Sequence, residues 1–367
     1  MARKIGILTG GGDCPGLNAV IRAAVKVGID KHRLELLGIE DALHGLIDLD
    51  YRSPNGNRWL GSRDVAHILT RGGTILGTSN RSDPFRFVVK DASGAPHETD
   101  VSDRVIENAR RLGLEGILSI GGDGSMRIAQ RFLEKGLPMI GVPKTIDNDL
   151  GSTDLTFGFD TAVGIATEAI DRLRDTAESH DRVMLVEVMG RDAGWIALHA
   201  GVASGADAIL LPEIPYRIEP IAAAVEERRA RGQKYSIVVV SEGAKPLGGE
   251  ASVVERKAGA MPRLAGAAQR VAESLSQRLD ADIRVTVLGH VQRGGSPSSF
   301  DRILATRFGH AAAELAARGE WGKMVALRGD AIVAAPIADA IRAPKLVDPA
   351  CQLVGTARAL GVSFGDE

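Results

Sequence analysis

Short apolar runs alternate with longer amphipathic stretches along most of the chain. KIGILT, LELLGIE, EGILSI, PMIGVP, RVMLVEVM, AILLP, YSIVVVSE and IRVTVLG are rich in Ile, Val and Leu. Their near-continuous apolar character suits strands covered on both faces. Between them, LNAVIRAAVKVGIDKH, DTAVGIATEAIDRLRDTAESH, PRLAGAAQRVAESLSQRL and DRILATRFGHAAAELAARG carry apolar residues at helical spacing. This alternation predicts βαβ units and mainly parallel sheets in an α/β protein. The strands outnumber one comfortable sheet, so two Rossmann-like lobes are expected. The stretch from Asp50 to Ser102 is less regular, and VVERKAGAMPR reads as an exposed connection.

Composition narrows the field. A chain of 367 residues accommodates two such lobes. The formal net charge of −2 gives no broad field for nucleic acid or an anionic membrane, so neither is an expected partner. The two cysteines, Cys14 and Cys351, make neither a disulfide framework nor a zinc site. MARKIGILTGGG enters a strand pattern at once, and no apolar run reaches spanning length; a cytoplasmic location is expected.

Two glycine-rich loops then stand out. ILTGGGDCPGLNAVI and ILSIGGDGSMRIAQRF both read as strand, glycine turn, helix. Such a turn brings backbone close to an anion and aims free N–H groups and the positive helix end at it. Two of them in one lobe point to a polyphosphate. Gly10, Gly12 and Gly16 miss the G-x-G-x-x-G spacing, and no G-x-x-x-x-G-K-[ST] occurs, which counts against a nicotinamide dehydrogenase and a P-loop NTPase. Asp123 lies inside the second loop. A carboxylate there repels a phosphate unless a cation such as Mg2+ intervenes; the plainer alternative is a helix N-cap.

PKTIDND places Asp147 and Asp149 at the carboxyl end of PMIGVP, where parallel sheets bind ligands. In an extended segment, residues two apart point the same way. Paired carboxylates raise one pKa, which suits a general base; a solvated turn is the alternative. Met189, Gly190 and Arg191 in EVMGRDAGW, and Glu242 in VVVSEG, also fall at strand ends. Arg182 stands at a strand start in HDRVMLVEV, while Arg284, His290 and Arg293 surround another strand in IRVTVLGHVQRGGSP. Guanidinium forks suit phosphate monoesters, so a sugar phosphate is expected. His180 and His199 read as packing or surface residues, His44 and His67 have no partner in sequence, and Cys14 reads as a small loop residue.

GILTGGGDCPGLNAVIR, GGDGS, PKTIDND, EVMGRDAGW and TVLGHVQRGGSP, in this order from Lys4 to about Arg328, closely resemble the 6-phosphofructokinase family. A different kinase sharing the GGDGS loop, such as an NAD or lipid kinase, would leave EVMGR and GHVQRGG unexplained. A non-catalytic relative would be expected to lack Asp123, Asp147 or Arg191, and all three are present. The resemblance implies the phosphofructokinase fold and transfer of a phosphoryl group to the 1-hydroxyl of fructose 6-phosphate. Gly12, Arg81, Gly122, Asp123, Gly124 and Ser125 would line the donor site, with Asp123 on Mg2+. Asp147 would be the base, and Thr145 and Asp149 would position substrate and charge. Met189, Gly190, Arg191, Glu242, His290 and Arg293 would hold the sugar phosphate. Arg182 and Arg284 would reach a neighbouring subunit's site, implying a homo-oligomer, a tetramer or alternatively a dimer. The donor lobe is expected over 1–158 plus 292–342, and the sugar lobe over 159–291 plus 343–367.

The resemblance divides over the donor. Glycine at Gly124 goes with ATP, whereas pyrophosphate users carry an aspartate that crowds the α-phosphate. Lysine at Lys144 is the usual pyrophosphate signature, although some ATP users share it. The expectation is an ATP-dependent enzyme, because ATP needs the obstruction absent while a lysine need not exclude it. A reversible pyrophosphate-dependent enzyme is the alternative. Arg22, Arg174 and Asp207 match part of the family's effector site. Gln233 and Tyr235 replace its lysine and histidine, so weak control by ADP or phosphoenolpyruvate is expected.

Overall fold

The computed structural model describes residues 2–51, 56–90, 94–255 and 263–367. The first part of the chain forms β1 (Lys4–Thr9), β2 (Glu35–Gly38), β3 (Arg58–Leu60), β4 (Phe87–Lys90), β5 (Pro96–Thr99), β6 (Leu114–Gly121) and β7 (Met139–Pro143). It continues with β8 (Val183–Val188), β9 (Ala208–Leu210), β10 (Ser236–Ser241), β11 (Val253–Glu255), β12 (Arg263–Leu264) and β13 (Ile283–Val287). A final pair, β14 (Lys323–Arg328) and β15 (Ala331–Pro336), follows. The chain divides into two compact units, residues 1–145, 150–158 and 293–344 in the first, and 146–149, 159–292 and 345–367 in the second.

The first unit is built on a seven-stranded sheet in the order β15-β14-β7-β6-β1-β2-β3. Its centre is parallel: β1 pairs with β2 and β6, and β6 with β7. These are the continuous apolar runs of the sequence, and their residues are almost wholly buried, as two-sided coverage requires. The edges are antiparallel: β3 pairs with β2, and β15 with β14. The irregular stretch from Asp50 to Ser102 holds β3 and the small antiparallel pair β4-β5. The core packs Leu8, Leu37, Ile117, Met126, Phe132 and Met139 around the sheet.

The second unit has a four-stranded parallel sheet in the order β13-β8-β10-β9. Val183, Leu185, Val238, Val240, Val271 and Leu275 form its core. β13, expected to be covered on both faces, is an edge strand and is only half buried. The connection VVERKAGAMPR begins in β11 and ends in β12, which pair with each other; its residues 256–262 lie outside the described ones.

Candidate active site

In the first unit, β1 and β6 are parallel neighbours, so both glycine loops leave the same edge of the sheet. The first loop is tied to the second strand by Gly10 N–H donating to the Ile120 carbonyl at 2.9 Å. Ser125, in the first turn of the helix Asp123–Glu134, occupies the gap between the loops. A β-carbon on Gly10 would come within 2.8 Å of its hydroxyl, and one on Gly121 would collide with it. Glycine is therefore needed at both positions for the loops to approach.

A third segment joins them. Gly11 N–H donates to the Ser79 carbonyl at 3.2 Å, and the Thr78 hydroxyl donates to the Gly11 carbonyl at 2.6 Å. This docks the GTSNRSDPF loop, with exposed Arg81, onto the first glycine loop. Lys144 follows β7. Its N–H donates to the Gly121 carbonyl, and its buried ammonium donates to the Gly12 carbonyl. Lys144 thus clamps both glycine loops.

Asp123 does not cap its helix. Gly122 takes the N-cap position, and the Asp123 carboxylate accepts from Arg127 Nε at 2.8 Å, one turn along. About 40% of the Asp123 side chain is exposed. Apart from its chain neighbours and its own helix backbone, nothing lies within 4 Å of a β-carbon built on Gly124, so the space beside Asp123 is open. No cluster of three or more acidic, His or Cys ligands occurs among the described residues. Mg2+ needs none: it binds through one or two carboxylates plus water and phosphate oxygens. One partly exposed carboxylate facing open space fits that ion.

Arg293, expected beside the sugar residues, belongs to the first unit. Its guanidinium donates to the Asp13 carbonyl at 3.1 Å and packs on Gly12, where a β-carbon would meet it at 2.9 Å. Cys14 is fully buried beside it, its thiol 3.7 Å from the Phe157 carbonyl, and burial pushes the thiol pKa up. It is a packed residue with no access for chemistry.

PKTIDND straddles the division: Thr145 falls in the first unit, and Asp147 and Asp149 in the second. The sequence expectation kept all of 1–158 together. Asn148 has φ 52, in the left-handed region, so the segment bends between the two aspartates. The extended-strand argument for their pointing the same way therefore fails at this residue. Asp147 is buried. Lys345 braces the bend, its ammonium donating to the Asn148 side-chain oxygen at 2.8 Å and its N–H to the Asp149 carbonyl at 2.8 Å.

In the second unit, the Met189–Arg191 turn follows β8. Gly190 has φ 143, and a β-carbon there would meet the Ala193 carbonyl at 2.5 Å. Arg191 is also left-handed, with φ 51. Glu242, at the end of neighbouring β10, accepts from Arg191 N–H at 3.1 Å and also from Gly190. Burial raises the Glu242 carboxyl from its ordinary 4.5 to about 7; the bonds from the turn oppose the rise and the Asp147 charge adds to it. That coupling brings Asp147 and Glu242 into one electrostatic neighbourhood. Gln292, which the sequence reading passed over, approaches from beyond β13 on the other side and accepts from Met189 N–H at 2.9 Å. His290, two residues earlier, is exposed.

Arg182 and Arg284 do not join this group. Both pair with Asp282, at 2.7 and 2.6 Å, at the starts of β8 and β13. The Met189 turn lies at the far end of β8, roughly 20 Å away at the rise of an extended strand. Of the discounted histidines, His199 packs edge-on against Phe159 at 5.1 Å, and His44 stacks on Tyr51 at 5.4 Å.

Comparison with known proteins identifies the family. A phosphofructokinase family model matches residues 4–316. An ATP-dependent 6-phosphofructokinase of Chloroflexus aggregans is 50% identical over 100% of this chain and 98% of its own. ATP-dependent 6-phosphofructokinase 2 of Clostridium perfringens is 49% identical over 99% of each. Among solved structures, Pichia pastoris phosphofructokinase in the T-state superposes with a TM-score of 0.78 at 28% identity, covering 98% of this chain and 36% of that longer one. A pyrophosphate-dependent phosphofructokinase of Marinobacter aquaeolei superposes at 0.73 with 24% identity, covering 95% and 86%, and shares the fold. The chain belongs to the phosphofructokinase family.

Proposed function

We propose that this chain is an ATP-dependent 6-phosphofructokinase, a phosphotransferase that phosphorylates the 1-hydroxyl of D-fructose 6-phosphate to fructose 1,6-bisphosphate in glycolysis. One observation carries the choice of donor: the space beside Asp123 at Gly124 is open, while Lys144 is committed to the backbone of the first glycine loop. An aspartate side chain would fill that space. The pyrophosphate alternative relies on a lysine ammonium directed at the donor, and here it grips Gly12. The relatives' printed names support the same donor.

Phosphoryl transfer needs positioning and charge neutralisation more than covalent catalysis. In this reading Gly12, Gly122, Gly124 and Ser125, with Arg81, hold the donor phosphates in the first unit. Asp123 would hold Mg2+, which neutralises donor charge when bound. In the second unit Arg191 and His290 hold the sugar phosphate, with the Met189 and Gly190 backbone and Glu242. Arg293 belongs to this set by its motif and stands against the first glycine loop by its contacts. Asp147 takes the proton of the 1-hydroxyl as that oxygen attacks, and Thr145 and Asp149 position substrate and charge around it.

Arg182 and Arg284 stand a strand's length from the turn of their own chain, which favours service to another copy. We therefore assign a homo-oligomer, a tetramer with a dimer as the alternative. Among the described residues no helix is long and apolar enough to cross a membrane, in keeping with a cytoplasmic enzyme. Asp147→Asn tests the function. With fructose 6-phosphate and ATP, kcat should fall by about 10²–10⁴-fold, the range of a lost general base, with little change in KM. A variant that keeps near-full rate would remove Asp147 from the mechanism.

A further inference from the structure

Strand β7 belongs to the first unit, yet residues 146–149, just downstream, belong to the second. The segment that carries Asp147 is therefore held in the second unit by attachments other than its own strand. Lys345, from the last stretch of the chain, supplies two of them. Its ammonium donates to Asn148 Oδ1 at 2.8 Å, and its N–H donates to the Asp149 carbonyl at 2.8 Å. Both bonds close on the bend at Asn148, whose φ of 52 is left-handed. Asparagine adopts that conformation more readily than most residues, and a charge-assisted bond to its side chain fixes it. Lys345 is itself anchored. Its carbonyl accepts from Trp195 Nε1 at 2.8 Å, and its ammonium stands 5.8 Å from the centroid of the Trp195 ring, within cation–π reach. Two residues on, Val347 N–H donates to Glu213 Oε1 at 2.8 Å, the oxygen that also accepts from Gly194 N–H at 2.9 Å. Gly194 is the N-cap of the helix Trp195–Ala203, which begins just after the Met189–Arg191 turn. Residues 345–347 thus splice the Asp147 segment to the helix that starts beside that turn.

We propose that Lys345 is a positioning residue for the base: by fixing the left-handed bend at Asn148 against the helix Trp195–Ala203, it aims the Asp147 carboxylate at the sugar hydroxyl. This rests on the reading of Asp147 as the base. Lys345 acts through Asn148 and Asp149 rather than on the substrate, so its loss should slow the chemical step and spare binding. A base displaced by about 1 Å from its proton costs on the order of 10²-fold in rate. Two substitutions cut the same bond from opposite ends. Lys345→Met keeps the length and apolar stem of the side chain and removes the donor. Asn148→Gly keeps the left-handed backbone accessible and removes the acceptor.

The test measures kcat, KM for fructose 6-phosphate, KM for ATP and Tm in Lys345→Met and Asn148→Gly, each alone and in an Asp147→Asn background. Either substitution alone should lower kcat by roughly 10–10²-fold and leave both KM values within about threefold. In the Asp147→Asn background neither should lower kcat by more than about twofold further, because no base remains to be aimed. A folded Lys345→Met variant with wild-type kcat would overturn the proposal. So would a raised sugar-phosphate KM with unchanged kcat, which would make Lys345 a binding residue. A loss in the Asp147→Asn background as large as in the parent would also overturn it, since the damage would then be independent of the base. If Lys345→Met does not fold, Asn148→Gly decides by the same criteria. If Asp147→Asn alone keeps near-full rate, the base reading falls and this proposal with it. If Asp147→Asn is slow while Lys345→Met and Asn148→Gly both keep wild-type kcat, only the present proposal fails.

Discussion

In the proposed mechanism three residues, Asp147, Glu242 and Lys144, make different demands at the finest scale. Asp147 must be ionised to accept a proton, whereas Glu242 beside it is pushed up to about 7 by burial. Because the folded value lies above the ordinary 4.5, Glu242 favours the folded state fully below about pH 4.5. That contribution is lost as pH rises through about 7. The difference corresponds to ~3 kcal/mol at most. Glu242→Gln should therefore gain stability relative to the parent as pH rises from about 4.5 to 7, read as a widening gap in Tm; a constant gap would refute the raised pKa. Lys144 was expected to bear on the choice of donor, but its contacts were not legible in the sequence. Sequence spacing does not reveal that its ammonium ends on the Gly12 carbonyl of another strand's loop. Lys144→Met should raise KM for ATP by roughly tenfold or more, as loss of a buried charged hydrogen bond implies. An unchanged KM would show that the loops hold themselves.

At the scale of elements, the central parallel strands were readable because two-sided burial leaves a continuous apolar signature. The glycine loops were readable because close backbone approach leaves few alternatives to glycine. The edges were not. β13 carries the same apolar pattern as its neighbours yet sits half exposed, because coverage depends on which strand ends the sheet. β14 and β15 were overlooked, although Gly329 and Asp330 separate two apolar runs as a hairpin would. The bend at Asn148 escaped notice because a single left-handed residue leaves no periodic trace. Gln292 escaped for a related reason: a buried amide is recognised by its partners across strands, not by its own segment. The open space at Gly124 belongs to this scale as well, since it is shaped by the helix start rather than by the glycine alone. Gly124→Asp should cut the ATP-supported rate on the order of 10²-fold through like-charge repulsion against the donor phosphates. Retention of full activity would show that the space is not used by ATP.

For the whole molecule, the proposal that Arg182 and Arg284, at the strand ends opposite the Met189 turn, serve another copy would make assembly part of the active site. Asp147→Asn and Arg284→Ala chains should each be nearly inactive alone. Mixed and reassociated, they should recover activity, because a hybrid contains a site with Asp147 from one chain and Arg284 from the other. No recovery in verified hybrids would contradict the shared site. Regulation is expected to be weak. Arg228 is engaged by Asp207 at 2.7 Å and lies over Tyr235 at 5.8 Å, although Arg174 keeps buried nitrogens without partners. The most direct test of the account is the initial rate of fructose 6-phosphate phosphorylation by the wild-type chain with ATP and, separately, with pyrophosphate. The account predicts turnover with ATP and Mg2+ and little or none with pyrophosphate; turnover with pyrophosphate and none with ATP would contradict it.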